Sequence, residues 1–161
     1  MTNKNKITKR WLSTVFCLIF FTAPLFAEQQ TAAYEIETLL QTNEITYGQA
    51  ARFILEASDI AAIADTEEAF NYIAEKNWVS EKITADQTVR LDVLSGIFMK
   101  AFDMKGGLFY SITGHPHYAY RELVYQNFIQ GKTEPGMKVS GELLLFITSR
   151  IMSHNQTGAA Q

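Results

Sequence analysis

The chain has 161 residues, of which 14 are basic, 17 are acidic and 47% are apolar. This length and composition indicate one globular core and exclude two full-sized domains. Cys17 is the only cysteine, which excludes an intramolecular disulfide and a metal site built from several thiolates.

The first 27 residues have the pattern of a secretory signal. A basic segment precedes the uncharged apolar run from Trp11 to Phe26, and the small residue Ala27 is followed by polar residues. The run has 16 residues, whereas a membrane-spanning helix needs roughly 20. We therefore predict a signal peptide at 1–27 and an exported protein of the periplasm or cell envelope. An uncleaved anchor is the alternative.

The exported part of the chain is acidic. Loss of residues 1–27 leaves 10 basic residues against 17 acidic ones, a net charge of −7. Such a balance disfavours nucleic acid and anionic membrane surfaces as partners. We expect a cell-wall glycan or an envelope protein as the partner, with no nucleic acid and no insertion of the mature chain into a membrane.

Three helix starts follow along the chain. Thr46-x-x-Gln49 and Thr84-x-x-Gln87 match the capping box, in which a threonine hydroxyl and a glutamine side chain satisfy the first free backbone N–H groups. Ser140 is a looser third example. Apolar residues at helical spacing follow each of these positions, so the pattern predicts three helices.

A second type of helix is predicted from an internal repeat. The sequence from Ala69 to Val79 returns as the sequence from Ala119 to Ile129, with size and polarity kept where identity is not. Helices are expected at 67–77 and 117–129, and an amphipathic segment near 31–41 is interpreted as a divergent first copy. Each copy precedes a helix start, which predicts an all-α fold of three helix pairs.

Two segments break this regularity. Near 104–116, glycines flank the alternating apolar residues Leu108, Tyr110 and Ile112, which predicts an irregular loop or a short hairpin as an insertion. The polar residues 155–161 are expected to form a disordered tail.

The repeat resembles the S-layer homology family. The resemblance rests on the helix starts from Ile45 to Gln49, from Ile83 to Gln87 and from Val139 to Glu142. It implies a pseudo-threefold bundle of three helix pairs, which we place at 28–154. In that family an arginine after the cap threonine helps to hold an anionic cell-wall polysaccharide. This arginine is missing from all three segments, which puts anchoring to the wall in doubt.

The best candidate site is the segment from His115 to Glu122. Planar rings and a guanidinium are suited to stacking and to binding carboxylate or phosphate groups. We predict that the following residues bind the ligand: His115, His117, Tyr118, Arg121, Glu122 and Trp78. The alternative is that Tyr120 and Trp78 fill the core while Arg121 and Glu122 are ordinary surface charges.

The sequence shows no nucleophile motif, no paired carboxylates and no matched set of metal ligands. We therefore predict a non-enzymatic module of the cell envelope, without cofactor or metal, that binds a glycan or an envelope protein through grooves between repeats. Two alternatives stay open. One is a small-molecule or metal-dependent sensor or enzyme centred on the segment from His115 to Glu122, and the other is a purely structural envelope subunit.

Overall fold

A computed structural model describes residues 33–158, and within them the chain is all-helical, as predicted. Seven helices and no extended strand occur in this range, and none of these helices is long and apolar enough to cross a bilayer. The predicted signal at 1–27 lies outside the described residues. The helices are α1 (33–40), α2 (Tyr47–Ala57), α3 (Thr66–Glu75), α4 (Leu91–Ala101), α5 (Leu108–Thr113), α6 (Pro116–Tyr125) and α7 (Gly141–Gly158).

The chain divides into two units, Met1–Thr38 and Leu39–Gln161. In the first unit the described residues belong to α1, where the Thr38 hydroxyl donates to the Tyr34 carbonyl at 2.8 Å. Most of the fold, including the core and the candidate site, lies in the second unit.

The starts of α2, α4 and α7 are joined by a ring of three backbone hydrogen bonds. Ile45 N donates to Val139 O at 2.9 Å, Val139 N donates to Val89 O at 3.1 Å, and Val89 N donates to Ile45 O at 2.9 Å. All three side chains are fully buried. Because each of these residues lies just before a helix, the N-terminal ends of the three helices meet in the core.

The first residue of each of these helices donates a further hydrogen bond to another part of the chain. These bonds run from Tyr47 N to Gln87 O, from Leu91 N to Met137 O and from Gly141 N to Thr42 O, at 2.9 to 3.0 Å. They satisfy N–H groups that have no partner inside a helix. The helix starts are therefore fixed by long-range contacts as well as by local capping.

The capping box at Thr46 is confirmed, because the Thr46 hydroxyl accepts from Gln49 N and the Gln49 side chain accepts from Thr46 N. The predicted start at Thr84 is wrong. Thr84 lies in a turn, and the N-cap of α4 is Arg90, six residues later. There the buried carboxylate of Asp92 accepts from Val93 N and pairs with the Arg90 guanidinium at 2.7 Å.

The two sequence copies form helices of the same length. α3 and α6 each have ten residues, and each buries an alanine, an aromatic ring and an aliphatic side chain at corresponding positions. Phe70 and Tyr120 are the two rings, and the Tyr120 hydroxyl also bonds Thr133 O at 2.9 Å. Tyr120 therefore belongs to the core. After each helix an asparagine has a positive φ, 56° at Asn77 and 61° at Asn127.

The predicted pairing of neighbouring helices differs from the observed packing. α3 makes its main contacts with the preceding helix α2, and α6 makes its main contacts with α4. The helix α4 is apolar on most sides and lies at the centre of the core, where Leu91, Leu94, Ile97 and Phe98 are fully buried.

The insertion and the tail both contain helix where none was predicted. Residues 108–113 form α5, so the short hairpin expected near 104–116 is wrong. The last helix α7 continues to Gly158, so residues 155–158 of the predicted disordered tail are helical. Hydroxyl groups in this part donate to the backbone one turn earlier, as Thr157 does to Ser153 O at 2.9 Å.

Candidate functional site

The insertion places α5 beside α6. The backbone leaves α4, passes Gly106 and Gly107, forms α5 and turns at Gly114, whose φ is 60°. This left-handed conformation favours glycine and allows the chain to reverse within a few residues. His115 then caps α6, with Pro116 in the first turn.

Aromatic rings line the side on which α5 faces α6. The rings of Phe109 and Tyr118 are stacked, with centroids 5.5 Å apart and an interplanar angle of 18°. His115 and His117 each present an edge to the Tyr118 ring, at centroid distances of 6.3 and 5.8 Å. Tyr110, also on α5, is half-buried and packs against the core, and this burial raises the pKa of its hydroxyl.

A groove with a volume of about 350 Å³ lies between the start of α5 and the outer face of α6. Its lining residues are Gly107, Phe109, Tyr118, Arg121, Glu122 and Tyr125. Gly107 leaves room for the Glu122 carboxylate, since a Cβ at this position would lie 2.6 Å from Glu122 Oε1. The groove therefore combines three aromatic rings with one guanidinium and one carboxylate.

The structure brings together only part of the predicted site. Tyr118, Arg121 and Glu122 line the groove, whereas His115 and His117 contact the Tyr118 ring from outside it. Trp78 is half-buried, packs against the core and follows α3, away from the groove lining.

Two groove residues, Phe109 and Tyr125, were not among the predicted site residues. Phe109 was assigned to an irregular insertion, and Tyr125 falls inside the repeated helix. The repeat contained a signal for Tyr125, because the corresponding residue of the first copy is Glu75. An aromatic side chain that replaces a charge on the exposed face of a helix indicates a contact surface.

The histidine pair has a structural use. His115 Nδ1 accepts from the His117 backbone N at 3.2 Å, so the His115 side chain caps α6. Within residues 33–158, no group of three or more histidine, cysteine, aspartate or glutamate side chains is arranged to hold a metal ion.

A second cavity, of about 410 Å³, lies at the other ends of α2 and α4. Its lining comes from residues 57–59 at the end of α2, residues 101–103 at the end of α4, and Met152, Asn155 and Gln156 of α7. Asp59 and Asp103 both have positive φ there, 56° and 47°. The carboxylates and the negative ends of two helix dipoles make this cavity electronegative.

The comparisons with known proteins give no match. No protein-family model fits the chain, and neither the curated proteins nor the solved structures include one that is similar to it.

Proposed function

We propose that the protein is an exported, non-enzymatic binding module of the cell envelope, and that it holds a glycan in the groove between α5 and α6. The observation that carries the proposal is the composition of the groove. Aromatic rings of Phe109, Tyr118 and Tyr125 lie beside the charged groups of Arg121 and Glu122. Flat aromatic faces pack against the C–H groups of a sugar ring, while the two charged groups can donate to and accept from its hydroxyls.

The size and accessibility of the groove also suit a glycan. Its volume of about 350 Å³ lies within the range of small-molecule sites. Tyr125 is 83% exposed, so a ligand can cover it without any rearrangement of the core. A long glycan could thus be held by a short stretch while the rest of the polymer stays in solvent.

We further infer a pseudo-threefold bundle similar to the S-layer homology module, in which the pairs are those of the observed packing, α2 with α3 and α4 with α6, rather than those predicted from the sequence. The ring of hydrogen bonds between Ile45, Val89 and Val139 supports this inference, because it relates the starts of α2, α4 and α7 in a cyclic manner. The proposed binding groove lies at the insertion rather than between repeats. The mode of binding would therefore differ from the one that the resemblance implies.

The test is whether purified, immobilised cell-wall glycan captures the protein. The protein is produced as the full chain and recovered after export. We expect Arg121→Ala and Tyr125→Ala each to lower capture at least about tenfold, which corresponds to the loss of one good contact. Matched controls are Lys132→Ala, which removes a charge of the same sign outside the groove, and Tyr34→Ala, which removes another exposed tyrosine ring, from α1. Both controls should retain capture.

Three results would contradict the proposal. The groove is not a glycan site if the Arg121 and Tyr125 variants bind as well as the controls do. Capture of one envelope protein without any glycan would favour a structural subunit or a protein-binding module. Stoichiometric zinc that is lost on replacement of His115 and His117 would favour the sensor or enzyme alternative.

A further inference from the structure

The cavity at the ends of α2 and α4 owes one of its walls to the unequal lengths of the three helices that start together. α2 and α4 each have 11 residues and end at the cavity, whereas α7 has 18 and continues for seven residues more. Met152, Asn155 and Gln156 belong to this extension, and their spacing of three and four residues places them on one face of the helix. The extension of α7 therefore closes one side of a cavity of about 410 Å³, which lies in the size range of small-molecule sites.

Two carboxylates stand where the backbone does not require a charge. Asp59 and Asp103 each follow the C-cap residue of a helix and have positive φ, 56° and 47°. Asn77 and Asn127 occupy the same position after α3 and α6, with φ of 56° and 61°. Asparagine thus serves this turn without a charge, and a negative charge at the C-terminal end of a helix is unfavourable. The two aspartates of the cavity therefore add a charge that folding does not need.

The surroundings of the cavity on the α2 side are acidic. Every charged residue between Arg52 and Lys76 is acidic, and there are six of them. Within residues 33–158, the carboxylates of Asp59 and Asp103 form no ion pair and accept no hydrogen bond. They are therefore available to a ligand that carries positive charge.

The basic residues close to the lining on α4 and α7 do not pair with these carboxylates. Lys100 donates instead to the backbone carbonyls that follow α3, at 2.9 and 3.3 Å. The Arg150 guanidinium lies over an aromatic ring of its own helix, 5.3 Å from the ring centroid, and His154 packs edge-on against a buried ring. Lys105 is exposed and forms no ion pair with Asp103 in the part of the chain that the structure describes.

We propose that this cavity binds a small aliphatic diamine in its doubly protonated form. One ammonium group meets each of the two carboxylates, and the side-chain carbonyls of Asn155 and Gln156 accept further hydrogen bonds from these three-donor groups. The negative ends of two helix dipoles favour the same positive charge. The carbon chain between the ammonium groups lies on the apolar lining residues Ala57, Ala101, Phe102 and Met152.

A divalent metal ion fits this lining less well. Ca²⁺ and Mg²⁺ take six or more oxygen ligands, whereas part of this lining is apolar. Within residues 33–158, no group of three or more histidine, cysteine, aspartate or glutamate side chains is arranged around a metal position. The cavity shares no lining residue with the groove between α5 and α6, so diamine binding does not depend on the proposed glycan site.

The test is isothermal titration of the full chain, recovered after export, with 1,5-diaminopentane at low salt. We expect one molecule to bind per chain and no measurable binding of 1,5-pentanediol, which has the same carbon chain with uncharged ends. The double variant Asp59→Asn/Asp103→Asn should bind the diamine at least about tenfold more weakly. The matched control, Glu81→Gln/Glu134→Gln, removes two negative charges at exposed positions outside the cavity and should bind as the wild type does.

Thermal melting separates loss of binding from loss of folding. The double aspartate variant should melt no lower than the wild type, because asparagine suits this turn and two charges leave the ends of helices. Met152→Ala is a second variant, which removes a partly exposed apolar wall and should weaken diamine binding about threefold or more.

Four results would overturn the proposal. The wild type must bind 1,5-diaminopentane, and neither 1,5-pentanediol nor calcium may bind as tightly. The folded aspartate variant and Met152→Ala must not both bind as the wild type does. Equal weakening in the Glu81/Glu134 control would mean that the diamine is attracted only by the overall negative charge of the protein.

Discussion

The meeting of three helix starts can be tested by adding one methyl group at Gly141, the first residue of α7. A Cβ built on Gly141 would lie only 1.9 Å from the Leu39 carbonyl oxygen, where real Cβ contacts are essentially never below 3.0 Å. The obstacle is backbone rather than a movable side chain. The segment that contains Leu39 would therefore have to retreat by about 1 Å, which also weakens the hydrogen bond from Gly141 N to Thr42 O.

The expected loss of stability for Gly141→Ala is about 2–4 kcal/mol. Overpacking of this kind costs about 1–3 kcal/mol, and one weakened backbone hydrogen bond adds about 1 kcal/mol. The gain in helix propensity from glycine to alanine is at most about 1 kcal/mol and is smallest at a helix end. We therefore expect this variant to melt at a clearly lower temperature than the wild type.

Gly96→Ala is the matched control, because Gly96 lies inside α4 and a Cβ there meets nothing within 4 Å. We expect this variant to be more stable than the wild type by about 0.5–1 kcal/mol. The assay is urea denaturation of both variants, followed by far-ultraviolet circular dichroism. If both substitutions shift the midpoint in the same direction, the close contact between Gly141 and Leu39 does not hold and our account of the three helix starts is wrong.

Two further predictions concern capping and pH. Asp65→Ala should lower the free energy of unfolding by about 1 kcal/mol in urea denaturation, because the Asp65 carboxylate accepts from backbone N–H groups at the start of α3. Thr84→Ala should change it by less than about 0.5 kcal/mol, because Thr84 caps no helix. An equal loss for both would restore the rejected helix start at Thr84. Burial raises the pKa of Tyr47 above its usual value of 10.0, so the folded state keeps this proton where the unfolded state loses it, and stability should fall as the pH rises above about 10. In Tyr47→Phe, stability measured by denaturation should fall less steeply with pH in the alkaline range, and the fall that remains should come from Tyr110, whose pKa is also raised. An unchanged slope would mean that Tyr47 ionises freely in the folded state.

The parts of the fold that local sequence patterns determine could be predicted. The repeat located α3 and α6 to within a few residues, and the box at Thr46 located the start of α2. Both signals depend on side chains close together in the sequence, such as the threonine and glutamine that complete each other's hydrogen bonds. The all-helical class followed from them.

The start of α4 could not be read from such a pattern. Thr84 and Gln87 have the right spacing, but the helix begins where Val89 N bonds Ile45 O and Leu91 N bonds Met137 O. Ile45 and Met137 are distant in sequence, so no local pattern near Thr84 indicates these hydrogen bonds. The apolar run that begins at Leu91 was the better local guide to this helix start.

The candidate site was predicted only on the α6 side. Leu108, Tyr110 and Ile112 alternate as in a strand, but a strand needs a partner, and α5 satisfies its own backbone instead, as in the bond from Ser111 N to Gly107 O. Because a loop or hairpin was predicted where a helix forms, the side chains that share a face of α5 could not be identified. Phe109 was therefore missed, although it stacks on Tyr118, which the sequence did indicate.

The hydrogen-bonded ring at the helix starts makes the fold cooperative. Two of its three bonds involve Val139, and the adjacent ion pair joins Lys138 to Glu44, which are 94 residues apart in the sequence. A growing chain that lacks Val139 can form neither bond, so the ring stays open until almost all of the chain has been synthesised. The amides of Ile45, Val89 and Val139 should accordingly exchange with deuterium at one common rate, that of global unfolding. Such late closure agrees with the export that we propose, because an exported chain crosses the membrane unfolded.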